Sequence, residues 1–454
     1  MLGKQPVKQI LDRVLQQSTA DETEVLFLGM EEALTRFANN EIHQNVAETN
    51  FGVVIRAAVG KRVAAVSTSD TTEAGLARAV EQAEALARLQ PENPDFPGFP
   101  PPAPLSDDVA AYDEATASAT PEFRARAVGD VIGYALERDV IASGAFSTSR
   151  FEWGIANSHG LFAYTPTTLA EFVTVAMTDT SSGYAAETAW QVETIDVGAH
   201  GRAAVDKALR AQNPQPVAPG EYPVVLEPYA TMDIMAFLSR AASAMSVHEG
   251  RSWMSGREGE RLMSSAITLT DDPRDPAIWP LPFDFEGLPR QPVTIIDQGV
   301  TGNAVYDYLW AKKTDHAPTG HALPAFNPFS PGQAIGGFGA MPLHLKLRTG
   351  ESTLEEMIQG VERGIYVTRF NYTRQVHPRD VVITGLTRDG TFWIENGEIA
   401  HPVRNLRFTQ SYVEALNDVV AIGKHAQTGR GYVEMSHAPA LSLGNFRFTG
   451  TTEF

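Results

Sequence analysis

Between Pro91 and Pro104 the chain reads PENPDFPGFPPPAP, and no other stretch constrains the fold as strongly. Proline fixes φ and lacks an N–H donor, so this segment enters neither a helix interior nor a central strand. It is a linker or a long wrapped loop, and regular structure must be sought on either side of it. A second break, NPQPVAPGEYP from Asn213 to Pro223, has the same character. In a chain of 454 residues, such breaks are natural domain edges. The expected division is an N-terminal α+β subdomain over 1–92, a second α+β subdomain over 105–215, and a larger β-rich C-terminal domain over 220–454.

Within these segments the apolar pattern changes period. Val7, Ile10, Leu11, Val14 and Leu15 form an amphipathic helical stripe. The run has no long apolar stretch and no small-residue cleavage site, so it is not read as a signal peptide. EVLFLGM is a short apolar strand, ALTRFANNEIHQN turns at Asn39-Asn40, and TNFGVVIRAAVGKRVAAVSTS is a hairpin turning at Gly60-Lys61. A strong helix follows, capped by Thr71 or Thr72, with a stripe of Leu76, Ala79, Val80, Ala83, Leu86 and Leu89. The middle segment repeats the theme: a helix with Pro121 in its first turn, strands with a turn at Asn157–Gly160, and the helix GAHGRAAVDKALRAQ. Beyond Pro223, VVLEP reads as a buried strand and TMDIMAFLSRAASAMS as one helix. Short strands then dominate a Pro- and Gly-rich remainder. Helices grouped between runs of strands, without alternating βαβ units, predict an α+β fold.

Charge narrows the function. A net charge of -19 disfavours nucleic acid or an anionic membrane as main partner, since both need a basic surface. No apolar run reaches the length that spans a bilayer. With no cysteine there is neither a disulfide framework nor a thiolate nucleophile or zinc ligand, which suits the cytosol.

Five stretches invite chemical readings. SVHEGRSWM holds the pair His248-Glu249, the opening of a zinc-peptidase motif, but Ser252 and Trp253 occupy the places of the second histidine. TDHAPTGHALP sets His316 and His321 five apart, with Pro318 and Gly320 between them arguing against one helical face. GQAIGGFGA lacks the Gly-Lys-Ser/Thr ending of a phosphate loop. The acidic pairs Asp271-Asp272 and Glu355-Glu356 read as solvated faces.

Several segments, in order, resemble the TldD/PmbA family, whose PmbA branch is also called TldE and whose members were once labelled modulators of DNA gyrase. They are TRFANNEIHQN, STSDTTEAGLARAVEQAE, VAPGEYPVVLEPYA, SGREGERL, DFEGLPRQPVTIIDQGV, PTGHA, GIYVTRFNYTRQVHPRDVVITGLTRDGTFWIENGEI and PVRNLRFTQS. Catalytic members of this family look like zinc peptidases with an HExxxH helix and a late cysteine. They act with a TldE partner on short or unfolded peptides, in a cavity between the subunits. In such members HExxxH lies about 25 residues before the glutamate of the SGRxGE anchor. That glutamate is Glu260 here, and an ungapped count puts Met235, Ala236 and Arg240 at the His, Glu and His positions. None of the three coordinates zinc, and the cysteine is missing.

The resemblance therefore implies a non-catalytic TldE/PmbA-type subunit, with no cofactor of its own and zinc in a TldD-like partner. It further implies a cytoplasmic heterodimer, or a homodimer in isolation, that takes peptide by adding it to an exposed strand edge. His316, Thr319, Gly320 and His321 are the cavity candidates. Two alternatives stay open. One is an independent metal-dependent hydrolase built from His316, His321 and a carboxylate such as Asp315; the other is a regulatory protein acting on a topoisomerase-like target.

Overall fold

The protein was analysed as a computed structural model that describes residues 1–106, 109–326, 339–431 and 434–452. The chain starts with α1 (Lys4–Gln17), the long hairpin β1 (Glu22–Ala38) and β2 (Glu41–Val59), then β3 (Arg62–Thr68) and α2 (Glu73–Leu89). Asn39 and Asn40 both take positive φ, 52° and 62°, as the tight turn between β1 and β2 requires. Thr72 is the cap of α2, accepting from the Gly75 N–H. Its stripe is buried through Ala83, but Leu89 is 79% exposed because the last turn runs past the sheet.

After the proline-rich stretch come α3 (Glu114–Ala117), α4 (Pro121–Leu136), β4 (Ile141–Asn157), β5 (Phe162–Met177), β6 (Ser182–Ala189) and α5 (Val197–Arg210). One antiparallel sheet runs across both segments in the order β3-β2-β1-β4-β5-β6. Helices cover one face. α1 and α2 bury Val7, Leu11, Leu76 and Val80 against Val25, Phe27 and Ile55, while α4 and α5 pack Val128, Val131 and Val205 against Phe146 and Phe172. The alternate residues Leu26, Leu28 and Ile155 turn to the other face and meet Phe283 of the C-terminal half. β1 is therefore apolar on both faces, which explains its unbroken run EVLFL. The proline-rich stretch is a wrapped loop whose Phe96 and Phe99 are buried beside Ala58.

The C-terminal half contains β7 (Gly220–Leu226), α6 (Pro228–Arg240), α7 (Ala244–His248), β8 (Leu269–Asp271), β9 (Val293–Asp297), β10 (Val300–Thr301), α8 (Tyr308–Lys313), β11 (His344–Leu347) and α9 (Leu354–Gln359). β12 (Arg363–His377), β13 (Val382–Glu395), β14 (Glu398–Pro402), β15 (Leu406–Ser411), α10 (Tyr412–Ala415), β16 (Val419–Arg430) and β17 (Met435–Thr451) complete it. The strands form an eleven-stranded mixed sheet. β7 runs parallel to β12 and antiparallel to β17, so the path β7-β12-β13-β15-β17 closes on itself. The predicted single helix over TMDIMAFLSRAASAMS is two helices: α6 ends at Arg240, and Ser243 caps α7 by accepting from the Ser246 N–H. The α+β expectation holds.

The two sheets meet along a seam. At its β1–β2 end, Arg56 Nη1 donates to Glu24 Oε1 at 2.8 Å and to Glu286 Oε1 at 3.3 Å, and the guanidinium lies 4.9 Å from the Phe99 ring centre. Asp284 and Asp307 stand nearby, each committed to backbone N–H groups: Asp284 to Leu288 and Ala322, Asp307 to Trp310. Burial pushes these carboxyls up. Glu24 rises to about 7, with Arg56 opposing and the Glu286 charge adding. Asp307 reaches about 7 and Asp284 about 6, in both cases through burial first and the Glu286 charge second.

Candidate functional site

At the β5–β6 end of the same seam the sheets part and leave a cavity of about 570 Å³, a volume typical of ligand sites. α6 forms one wall. Pro228 opens the helix, and its apolar spacing sends Ile234, Met235 and Leu238 into the large core. That leaves Met232, Asp233, Ala236, Phe237 and Arg240 on the cavity face, at the three- and four-residue intervals of one helical side. Glu171 on β5 and Tyr184 and Ala186 on β6 face them, from the side of the first sheet that carries no helix. β12 adds Arg369, Phe370, Thr373 and Arg374, Arg430 closes β16, and Glu434 comes from the β16–β17 connection.

The charged groups of the cavity are arranged unevenly. Asp233 accepts from Thr373 Oγ1 at 2.9 Å and from the Tyr412 hydroxyl at 2.7 Å. Burial pushes its carboxyl up to about 6, against the pull of those two hydrogen bonds and of Arg240. The Tyr412 phenol is raised well above its ordinary value by burial and by the Asp233 charge. Arg369 is tied to Asp389, Nε to Oδ2 at 2.5 Å, and lies 4.1 Å from the Tyr184 ring centre. Arg240 and Arg430 are looser: Arg240 stands 3.6 Å from Glu434 and Arg430 3.7 Å from Glu171, both beyond hydrogen-bond length. Among the described residues Arg374 donates to its neighbour's carbonyl alone, Thr373 O at 3.0 Å, and lies over the Tyr372 ring.

Of the three motif positions, Ala236 and Arg240 line the cavity, whereas Met235 is 2% exposed and turned into the core. An HExxxH pattern facing the cavity would instead fall on Met232, Asp233 and Phe237, all of which line it. In neither register does α6 carry a histidine. Among the described residues the cavity's charged groups are carboxylates interleaved with guanidinium groups, with no imidazole and no thiolate, and this set does not fit a zinc site. Among the described residues no cluster of three or more His, Asp or Glu side chains is arranged to hold a metal.

The histidine candidates lie elsewhere and apart. His321 is fully buried; its Nε2 meets Asp271 Oδ1 at 3.0 Å and its Nδ1 meets Thr319 O at 2.9 Å. His316 is exposed and stacks on Tyr306 at 4.6 Å, with His248 at 6.2 Å. The structure therefore brings His316 to His248, stacked in turn on Trp310, and not to His321. Asp315 takes a positive φ of 57° in the turn before His316. Thr319 accepts from the Tyr306 N–H at 2.8 Å. Gly320, at φ 71°, would set a Cβ 2.2 Å from Pro289 O. None of His316, Thr319, Gly320 and His321 lines the cavity; Leu323, just beyond them, does.

One reading is corrected. Asp271 is no solvated face but 0% exposed, accepting from the His344 N–H at 2.8 Å as well as facing His321. Burial works against its charge, yet His321 and His344 together hold the carboxyl well below the usual range. A turn-like Asp-Asp-Pro hides such a role, because its partners are distant in sequence. Glu355 and Glu356 are exposed as expected, and Glu356 completes a capping box with Thr353. The glycine-rich run GQAIGGFGA spans 332–340, and all of it but Gly339 and Ala340 lies outside the described residues.

The cavity arginines of β12 were not legible. In a regular strand Arg369 and Arg374 point to opposite faces. Here the register shifts between Asn371 and Arg374, with Tyr372 at φ 54°, and both reach the cavity.

Comparison with known proteins covers the whole architecture. Models of the PmbA/TldA metallopeptidase domain 1, central domain and C-terminal domain match residues 23–87, 100–212 and 219–450. A metalloprotease of Methanothermobacter thermautotrophicus is 26% identical over 246 residues, 53% of this chain and 51% of that protein. A metalloprotease PmbA homolog of Haemophilus influenzae is 24% identical over 219 residues, 48% of this chain and 44% of that protein. The aligned chain thus spans about half the length of these curated relatives. TldE from Thermococcus kodakarensis shares the fold with a TM-score of 0.86 at 21% identity, covering 98% of this chain and 99% of that one. A structure described as a putative modulator of a DNA gyrase, from Thermotoga maritima, gives 0.82 at 20% identity, covering 97% and 100%.

Proposed function

The chain belongs to the PmbA/TldD metallopeptidase family, and from that premise we propose that it is a TldE/PmbA-type, non-catalytic subunit of a two-subunit zinc peptidase. One observation carries this reading: α6, the helix that walls the cavity, holds no histidine, in a chain that holds no cysteine. The subunit forms part of the peptide chamber. The metal, the activated water and the bond-breaking step belong to a TldD-type partner. The mixed apolar and charged lining suits short or unfolded peptides, and the remaining helix-free walls allow an extended strand to lie against them. The natural setting is the cytoplasm. A heterodimer is the working form, with homodimers in the partner's absence, and the three segments act as its building blocks.

Among the described residues no helix is long and apolar enough to cross a membrane. The test is reconstitution. The isolated protein is expected to hold no stoichiometric zinc and to leave unfolded peptides intact. Adding a chain that carries HExxxH and the late cysteine is expected to produce chelator-sensitive hydrolysis. Stoichiometric zinc together with hydrolysis by the protein alone would sink the proposal.

A further inference from the structure

We propose that Arg240, Arg374 and Arg430 form a subsite that binds a peptide carboxylate, either the C-terminal group or an acidic side chain. This rests on the reading that peptide enters the cavity. In a chain of net charge -19, the lining carries four arginines against Glu171, Asp233 and Glu434. Cations are thus gathered at one concave place on an acidic molecule, where low-dielectric walls concentrate their field. Arg369 is accounted for by Asp389. The other three are held more loosely: Arg240 and Arg430 make ion pairs only at 3.6 and 3.7 Å, Arg240 lying in addition 4.9 Å from the Phe237 ring centre, and Arg374 has no ion pair among the described residues.

A guanidinium offers five donors in a planar fork that matches a carboxylate. Access is open, since the side chains of Arg240 and Arg430 are 35% and 48% exposed. The same surroundings choose the anion. Glu171 and Glu434 beside the arginines repel a doubly charged phosphate more than a singly charged carboxylate. Phe237, Phe370 and Met232 offer the apolar surface that peptide side chains need next to it.

Titration calorimetry on the purified full chain tests this with three probes: acetylated Ala-Leu-Phe-Ala with a free carboxylate, its C-terminal amide, and an amidated version with one Ala replaced by Glu. At least one carboxylate-bearing probe is expected to bind about tenfold or more tightly than the plain amide. Preference for the free acid alone identifies the C-terminus as source; equal gain from the Glu probe identifies the side chain. The preference should collapse in Arg374→Ala and Arg240→Ala and shrink in Arg374→Lys, which keeps the charge but loses the fork. Should Arg240→Ala fail to fold, Arg374→Ala decides, because that exposed side chain has no ion pair to lose. Equal binding of all three probes, or a preference untouched in the variants, overturns the subsite while leaving peptide entry standing. Binding of none overturns both.

Discussion

At the β1–β2 end of the seam Arg56 is shut between Glu24 and Glu286, whereas at the β5–β6 end Arg240 and Arg430 stand off from Glu434 and Glu171 across an open cavity. Both ends join the same two sheets with the same residue types. The difference is how closely the pairs are made: Arg56 is 25% exposed and Arg240 35%, yet Arg56 reaches both of its carboxylates within hydrogen-bond length and Arg240 does not reach Glu434. Where the pairs are short, Arg56 is held by two hydrogen-bonded carboxylates and the group works as a rivet; where they are long, the donors are left for a ligand. Charge at a domain junction therefore carries no functional meaning until its burial and partner distances are known.

The sharpest way to break this contrast is to remove the tightly paired cation. Arg56→Met leaves Glu24 and Glu286 buried without their partner, and is expected to cost about 3–5 kcal/mol in urea unfolding. A loss below about 1 kcal/mol would show that the cluster is already neutral or wet.

A second test uses pH. Glu24, Asp284 and Asp307 have folded-state pKa values raised to about 7, 6 and 7. The folded protein therefore holds protons that the unfolded chain has released, and stability falls as pH rises from the ordinary carboxylate range through these values. Between pH 5 and pH 8 the expected loss is on the order of 1–3 kcal/mol. Asp307→Asn, which keeps the cap on Trp310, should flatten the slope. A stability that rises over this window would overturn the assignment.

Smaller effects are expected at the cavity end. Tyr412→Phe removes one of the two hydroxyls that hold Asp233, with an expected cost of about 1–2 kcal/mol and an upward move of the Asp233 titration in a carboxyl-labelled NMR series. Arg430→Met should change unfolding by less than about 0.5 kcal/mol, since its pair is exposed and long. A loss there comparable with Arg56→Met would erase the distinction between the two ends.

Sequence reasoning succeeded where local signals act alone. The cap at Thr72, Pro121 in the first turn of α4, the Asn39-Asn40 turn and the stripes of α1 and α2 are properties of neighbours in the chain, and they led to the α+β class. It failed where a residue's role depends on a distant partner. Asp271 meets His321 across the core, His316 finds His248, and a bulge in β12 reverses the facing of Arg374. Spacing alone also could not tell that Met235 turns inward while Ala236 and Arg240 line the cavity.

The strand ring of the C-terminal half has a consequence for how the protein is made. Its closing pair joins Gly220 to Phe448, so β7 must wait for β17 after every intervening strand has been laid down. Until then β7 has one ladder partner where the finished molecule gives it two, and its edge is a template for misassembly. Such distant closure is slow, because the entropy of the long loop is lost before the contacts that repay it form. The N-terminal sheet is built of hairpins apart from the β1–β4 pairing, whose partners such as Glu24 and Asn157 still lie closer in sequence than Gly220 and Phe448; it is expected to be complete before the ring, leaving ring closure as the step at which the nascent protein is most exposed to aggregation.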